Sequence, residues 1–461
     1  MASTASSTLQ EQALRHLWLH FTAMSGLEAE RLAVIERGEG PYVIDVNGKR
    51  YLDFLSGLFT VQIGYSYGEE LGQAMLEQAR QLPYYTNWTF AHPRAIELAA
   101  KLAEITPEGI GRSFFVSGGS EAVEAAIKMA REFHNAGGEP RRRKVIARKI
   151  AYHGTTYGAM SLTGITGLRT PFEPLMAGVR HVANTNQYRC KYCADQGGCN
   201  LKCADEVAEA IEFEGPETVA MVIMEPVQNA GGCFTPHPQY HQRVREICDT
   251  YGVLQAADEV ICGFGRVGEW FGSQRYDYRP DLITAAKGLT SAYQPMGALL
   301  FSDRVGERLL AQDYMYMHGV TFGGHPVASA VALKNIEIME REGVIDNVRA
   351  NQGYLEDALR GLMARHEIVG DVRGAGYFWA MELVKDRATR ETFSPEECDV
   401  LLRDFLSNAL LEEGLICRQD DRGDPVIQIS PPLISTREHI DEAVAIFDRV
   451  LPRAMERMRA S

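Results

Sequence analysis

The sequence predicts an α/β protein whose large domain is a mainly parallel sheet with helices on both faces. Three observations predict it. From about Pro93, short apolar runs alternate with helix-compatible stretches, the runs being Ser113–Val116, Lys144–Ala147, Val219–Met224, Val253–Ala257 and Asp281–Ala285. Three runs end in residues able to do chemistry, Glu225-Pro226, Asp258-Glu259 and Lys287-Gly288, where open parallel sheets gather their ligands. The small-residue segment Ser117-Gly118-Gly119-Ser120-Glu121 follows the first run and opens a helix over Ala122–His134.

Around that core, Leu9–Arg31 reads as helix and Tyr42–Asp53 as a hairpin turning at Asn47-Gly48. After Pro326 come a long helix, strands near Tyr377–Leu383 and Val426–Ile429, and a closing helix from Thr436. No internal repeat or low-complexity linker divides the chain. The expected organisation is a large domain over 76–335 and a small α+β domain built from both termini, 1–75 and 336–461.

Composition excludes several function classes. With 461 residues, 45% of them hydrophobic, the chain can bury a sizeable core. The formal charge of −14 is dispersed and argues against broad binding to nucleic acid or anionic membrane. The run Arg141-Arg142-Arg143-Lys144 reads as a solvated loop. The polar stretch Met1–Leu9 does not resemble a secretion signal, and no apolar run is long enough to span a bilayer, so a cytoplasmic protein is expected. Nine cysteines are too few and odd in number for a disulfide framework, so reduced thiols are expected.

Asp258 and Lys287 at neighbouring strand ends would be costly to bury without a partner or a purpose. One reading is a satisfied ion pair. The other is that Lys287 condenses with a cofactor aldehyde while Asp258 pairs with a protonated pyridine nitrogen, the division of labour that pyridoxal phosphate needs. Gly118, Gly119 and Ser120 at a helix start then offer free N–H groups to the phosphate. Gly263-Phe264-Gly265-Arg266-Val267-Gly268 matches a dinucleotide pattern, but Glu269-Trp270-Phe271-Gly272 is a poor helix start and nucleotide binding is not expected. Cys190, Cys193, Cys199 and Cys203 could offer four thiolates to zinc. Because the loop is rich in Gly, Asp and Asn, a cysteine-containing surface loop without metal is the favoured expectation.

These motifs resemble the class III pyridoxal-phosphate-dependent aminotransferases, particularly the ω-amine:pyruvate and β-alanine:pyruvate group. The pieces that carry the resemblance are Ser-Gly-Gly-Ser-Glu-Ala from Ser117, Tyr152-His153-Gly154, Glu225-Pro226-Val227, Ala257-Asp258-Glu259-Val260, Ala286-Lys287-Gly288-Leu289 and His318-Gly319-Val320-Thr321-Phe322-Gly323-Gly324-His325-Pro326. The resemblance implies the fold type I architecture of pyridoxal-phosphate-dependent transferases. It also implies Tyr152 on one face of the pyridine ring and Val260 on the other, Gly118, Gly119 and Ser120 on the phosphate, and Glu225 near cofactor and substrate. Thr321 would reach the phosphate in a partner subunit, which implies a homodimer with shared sites, and such dimers can pair into a tetramer. Phe59, Trp88, Tyr152 and Arg418 match substrate-pocket positions, with Arg418 placed to clamp a keto acid carboxylate and to swing away for a carboxylate-free amine. Two departures stand out: Gln255 where an apolar residue is usual, and Gly118 where Ser is more common.

The implied reaction is ping-pong transfer of an amino group from a primary amine or ω-amino acid to a keto acid such as pyruvate, with Lys287 moving the proton. Donors of the β-alanine, 4-aminobutyrate or diamine/ornithine type are the alternative. An aminomutase, a decarboxylase and a non-catalytic binding protein remain rivals on the same scaffold.

Overall fold

The computed structural model describes residues 2–29, 32–193, 198–312 and 314–460. At its centre is a seven-stranded sheet in the order Arg112–Val116, Gly297–Phe301, Leu282–Ala285, Leu254–Asp258, Val219–Met224, Lys144–Arg148 and Val179–Val182. Every strand is parallel to the others except Gly297–Phe301, which runs antiparallel to both neighbours. All five apolar runs of the sequence are strands. Val179–Val182 escaped the sequence because an edge strand carrying Arg180 and His181 has no apolar run. Gly297–Phe301 escaped because a buried strand has no periodicity of its own.

The strands Val219–Met224, Leu254–Asp258 and Leu282–Ala285 are buried along their whole length. Helices cover both faces, which is what such continuous apolar runs require. The helix Gly119–Ala136 lays Ala122, Ala125, Ala126, Met129, Ala130 and Phe133 against the sheet. This spacing of three and four residues forms one face, and its alanines let the helix axis approach closely. The Gly118–Ser120 end is thereby fixed over the carboxyl ends of the central strands.

Two smaller sheets flank this layer. Ile35–Glu39, Tyr42–Asp45 and Arg50–Asp53 form an antiparallel meander, and Leu415–Ile416 adds to Arg50–Asp53 in parallel. Residues far apart in the chain thus share one sheet. The second sheet, in the order Val369–Ala375, Phe378–Leu383, Val426–Ile429 and Arg418–Asp420, is antiparallel.

Two expectations are corrected. The first helix spans Ala2–His16 rather than Leu9–Arg31, with Arg31 outside the described residues. Beyond it Trp18 is 79% exposed, and Phe21 takes φ +52°, which no helix continues. Leu17, Trp18 and Phe21 are all exposed, so further turns would gain no burial of these side chains. The long helix after Pro326 is two helices, Pro326–Arg341 and Val344–Arg365, because Gly343 adopts φ +59° between them. The closing helix is Arg437–Ala460.

The glycine-rich segment 263–268 is a run of turns whose Arg266 is fully buried. Its guanidinium donates to the carbonyls of Tyr377 and Pro431 and to Gln62 Oε1. That segment therefore ties the N-terminal, central and C-terminal parts of the chain together. Among the described residues no helix is long and apolar enough to cross a membrane.

Candidate active site

A cleft opens at the carboxyl ends of the central strands. Its floor and walls include Lys287, Asp258, Glu225, Tyr152, His153 and Val260, and Gly119 and Ser120 close one end. The strand that ends in Asp258 and the one that precedes Lys287 are neighbours in parallel register, with Asp258 paired to Thr284. That pairing brings the two residues to one place.

Asp258 is held rigidly. Its Oδ2 lies 2.7 Å from His153 Nδ1, and its Oδ1 accepts the Thr284 hydroxyl at 2.9 Å and the Val260 N–H at 3.2 Å. His153 and Thr284 are both buried, so these contacts fix the carboxylate plane without solvent competition. His153 was missed as a functional residue. The motif Tyr152-His153-Gly154 was the available signal, and only its tyrosine received a role.

Lys287 adopts φ +44°, the left-handed region, which a non-glycine residue occupies only when its surroundings hold it there. Burial lowers its pKa to about 8; nearby Asp258 opposes that shift and Arg418 reinforces it. Among the described residues its ammonium makes no hydrogen bond or ion pair, so the expected alternative of a satisfied Asp258–Lys287 pair is not what the structure contains. An amine with this pKa is substantially neutral near pH 8 and nucleophilic.

The helix start completes the cleft. No side chain caps the helix Gly119–Ala136, so its first N–H groups stay available. A Cβ on Gly119 would come within 3.0 Å of a Val260 methyl. Gly154, at φ +122°, has no room for one either, since a Cβ there would stand 2.3 Å from Ser120 Oγ. Gly118 differs: a Cβ would meet nothing within 4 Å, so glycine here removes a hydroxyl rather than relieving a clash.

These features fit a phosphorylated pyridine aldehyde. A deprotonatable amine suits the aldehyde, a fixed carboxylate the ring nitrogen, an uncapped helix end the phosphate, and the Tyr152 and Val260 side chains the ring faces.

Glu225 is buried, and burial raises its pKa. Its Oε2 accepts the Asn229 N–H at 2.9 Å and its Oε1 the Tyr152 N–H at 3.4 Å, so it braces the segment carrying Tyr152. Burial also raises the Tyr152 pKa, opposed by Arg418. Phe59 is buried edge-on to Phe378, and the Arg418 guanidinium stands 5.8 Å above the Phe59 ring. Arg418 contacts Asp420 only loosely, at 4.0 Å, because Arg422 grips that carboxylate through two bonds of 2.7 and 2.8 Å.

Trp88 and Thr321 are not brought to this cleft within one chain. Both are exposed and lie on a separate face, where Trp88 packs over Gly319 and the Tyr84 hydroxyl donates to Thr321 O. Gln255 is buried mid-strand, its N–H on Asp281 Oδ2 at 2.9 Å. Of the four clustered cysteines, Cys193 and Cys203 are buried and Cys190 and Cys199 half-buried. All nine cysteines are free thiols.

The model of class-III aminotransferases matches residues 24–451. A probable aminotransferase of Mycobacterium tuberculosis is 51% identical, the match covering 97% of this chain and 95% of that protein. A putrescine–pyruvate aminotransferase of Pseudomonas aeruginosa is 40% identical over 97% of both chains. Among solved structures, an ω-transaminase from Pseudomonas jessenii in complex with PMP superimposes with a TM-score of 0.90 at 35% identity, covering 97% of this chain and 98% of that one.

Proposed function

The chain belongs to the class III aminotransferases, and from that premise we propose that its amino donor is a primary amine or ω-amino acid and its acceptor pyruvate. It is a pyridoxal-phosphate-dependent transaminase of the ω-transaminase type. The observation that carries the substrate reading is the position of Arg418. Its guanidinium stands over Phe59 and close enough to Lys287 and Tyr152 to influence both, yet Arg422 has already taken its nearest carboxylate. A guanidinium so placed offers its planar fork to the carboxylate of a keto acid. Tyr152 gives a carboxylate-free amine an apolar surface in the cleft, and the buried Phe59 ring lies beneath the Arg418 guanidinium.

The bound cofactor supplies an aldehyde that captures the amine and a cationic ring that withdraws electrons from the carbon losing its proton. This chain's residues do the rest. Lys287 Nζ would take the proton from the substrate carbon and return it to the carbon on the far side of the transferred nitrogen, two bonds away, a task suited to an amine with a pKa near the working pH. Asp258, oriented by His153, Thr284 and the Val260 N–H, keeps the pyridine nitrogen protonated. Gly118, Gly119 and Ser120 would bind the phosphate, and Tyr152 and Val260 would hold the ring. Glu225 positions the Tyr152 segment. The second half-reaction uses the same groups in reverse, with Arg418 on the keto acid.

The active unit is a homodimer. The face carrying Trp88, Phe90, Met315, Met317 and Phe322 is strongly exposed and apolar, as an unpaired interface would be. Thr321 and Trp88 on that face serve the partner's cleft, Thr321 at the phosphate and Trp88 at the substrate. Nine free thiols accord with a cytoplasmic protein.

The test is the absorption spectrum of cofactor-loaded protein on addition of a carboxylate-free primary amine, then pyruvate. Loss of the cofactor band with the amine and its return with pyruvate would establish both half-reactions. If only ornithine, β-alanine or 4-aminobutyrate bleaches the band, the donor class moves while transamination stands.

A further inference from the structure

Two acids and a second arginine follow Arg418 closely, in Arg418-Gln419-Asp420-Asp421-Arg422, and the reaction so far uses Arg418 alone. The strand Arg418–Asp420 pairs antiparallel with Val426–Ile429, and the residues between them turn the chain back. Residues two apart on a strand share a face, so Arg418 and Asp420 project together. Gln419 points the other way, where its Oε1 accepts the Ser407 hydroxyl at 3.0 Å.

On the shared face two guanidiniums compete for one buried carboxylate. Arg422, on the turn, reaches back to Asp420 with its backbone N–H at 3.2 Å and with its guanidinium at 2.7 and 2.8 Å, one contact to each carboxylate oxygen. Arg418 Nε stands 4.0 Å from Asp420 Oδ2. Asp421 is no substitute, because Arg403 holds it through bonds of 2.9 and 3.0 Å. The forked pair therefore goes to Arg422, and a buried carboxylate gives up such a partner only at high cost.

Arg422 also stands at the cleft. Its Cζ lies 6.0 Å from the centre of the Tyr152 ring, which lines the cleft. The turn that carries it is seated on the segment leading to Tyr152, since a Cβ on Gly423 would come within 3.4 Å of Ile150 Cδ1 and 3.2 Å of Gly231 Cα.

Taking Arg418 as the partner of the keto acid carboxylate, we propose that Asp420 is a specificity-determining residue: by committing Arg422 it leaves the cleft one free guanidinium instead of two, which selects acceptors with a single carboxylate. A keto acid such as pyruvate needs one fork. A second free guanidinium over Tyr152 would reward a second carboxylate and repel an amine donor, which arrives as a cation. Asp420 thus excludes dicarboxylic acceptors and keeps the entrance open to amines.

The experiment follows both half-reactions of the cofactor-loaded full chain, with pyruvate and 2-oxoglutarate as acceptors and a carboxylate-free primary amine as donor. In Asp420→Asn the KM for 2-oxoglutarate should fall about 10-fold relative to that for pyruvate. The amine half-reaction should slow, and added salt should restore it. In Arg422→Ala the released Asp420 turns to Arg418, so KM for pyruvate should rise roughly 5-fold. Asp420→Asn/Arg422→Ala should recover the parental KM for pyruvate without the gain in 2-oxoglutarate, a rescue that loss of packing alone would not produce. An unchanged acceptor preference in folded Asp420→Asn, or a gain that persists without Arg422, would overturn the role of Asp420. If Asp420→Asn fails to fold, Arg422→Ala decides, and an unaltered KM for pyruvate there overturns it. An Arg418→Ala enzyme with unchanged KM for pyruvate would instead remove the assignment of Arg418, and that of Asp420 with it.

Discussion

His153 Nδ1 lies 2.7 Å from Asp258 Oδ2, both side chains buried, so the carboxylate proposed to face the ring nitrogen is itself oriented by a histidine 105 positions earlier in the chain. A charge-assisted bond of this kind contributes about 1.5–3 kcal/mol. His153→Ala should lower kcat by roughly 10- to 150-fold with the fold retained. Steady-state kinetics with a thermal melt checks it, and Asp258→Asn should lose more. A His153→Ala enzyme as fast as the parent would remove histidine from the mechanism.

Lys287→Ala removes both the cofactor's attachment point and the base that moves the proton. Turnover should fall by about 10³-fold or more. Single-turnover bleaching of the cofactor band by excess amine measures the loss. Substantial residual turnover would sink the assignment of Lys287.

The Lys287 pKa of about 8 predicts a pH dependence. In cofactor-free protein, the rate of cofactor capture should rise with pH and level off above about 8, because the neutral amine is the nucleophile. Arg418→Ala removes a positive charge that holds this pKa down, so the inflection should move to higher pH. The same depression affects stability. Below about 8 the fold carries a charged, buried lysine at a cost, and that cost is relieved as pH rises from 8 towards the unfolded value near 10.4, where both states bind equally few protons. This lysine's contribution therefore favours the fold increasingly across that window.

Arg418→Ala should raise KM for pyruvate by about 10-fold or more, the loss expected when a carboxylate gives up a paired guanidinium. The half-reaction with a carboxylate-free amine should suffer much less. Equal losses in both half-reactions would mean that Arg418 supports the cleft rather than the keto acid.

Gly154→Ala should be damaging although it adds only a methyl group. The backbone sits at φ +122°, and the new Cβ would meet Ser120 Oγ at 2.3 Å. A destabilisation of about 1–3 kcal/mol and weakened cofactor retention are expected, read by melting temperature and by cofactor content after dialysis.

Much of this was readable along the chain. The five apolar runs became strands because short stretches holding three to six apolar residues each, too short for a helix, have few other places to go. Asp258 and Lys287 stood out because each follows such a run directly. Less visible was anything dependent on a partner distant in sequence: the antiparallel strand Gly297–Phe301, the break at Gly343 and the burial of Cys193 and Cys203.

By itself the sequence determined the α/β class and the parallel core, and it pointed to Lys287 and Asp258 as the candidates for capturing an aldehyde and pairing with a ring nitrogen, since these follow from local apolar patterning and side-chain chemistry. Only the tertiary structure decided that His153 orients Asp258, that Arg422 grips Asp420 more tightly than Arg418 does, and that Trp88 and Thr321 lie away from their own chain's cleft. The reason is physical: hydrogen-bond geometry, burial and electrostatic shifts depend on distances through space, and the fold sets those distances by packing segments that the chain order keeps apart.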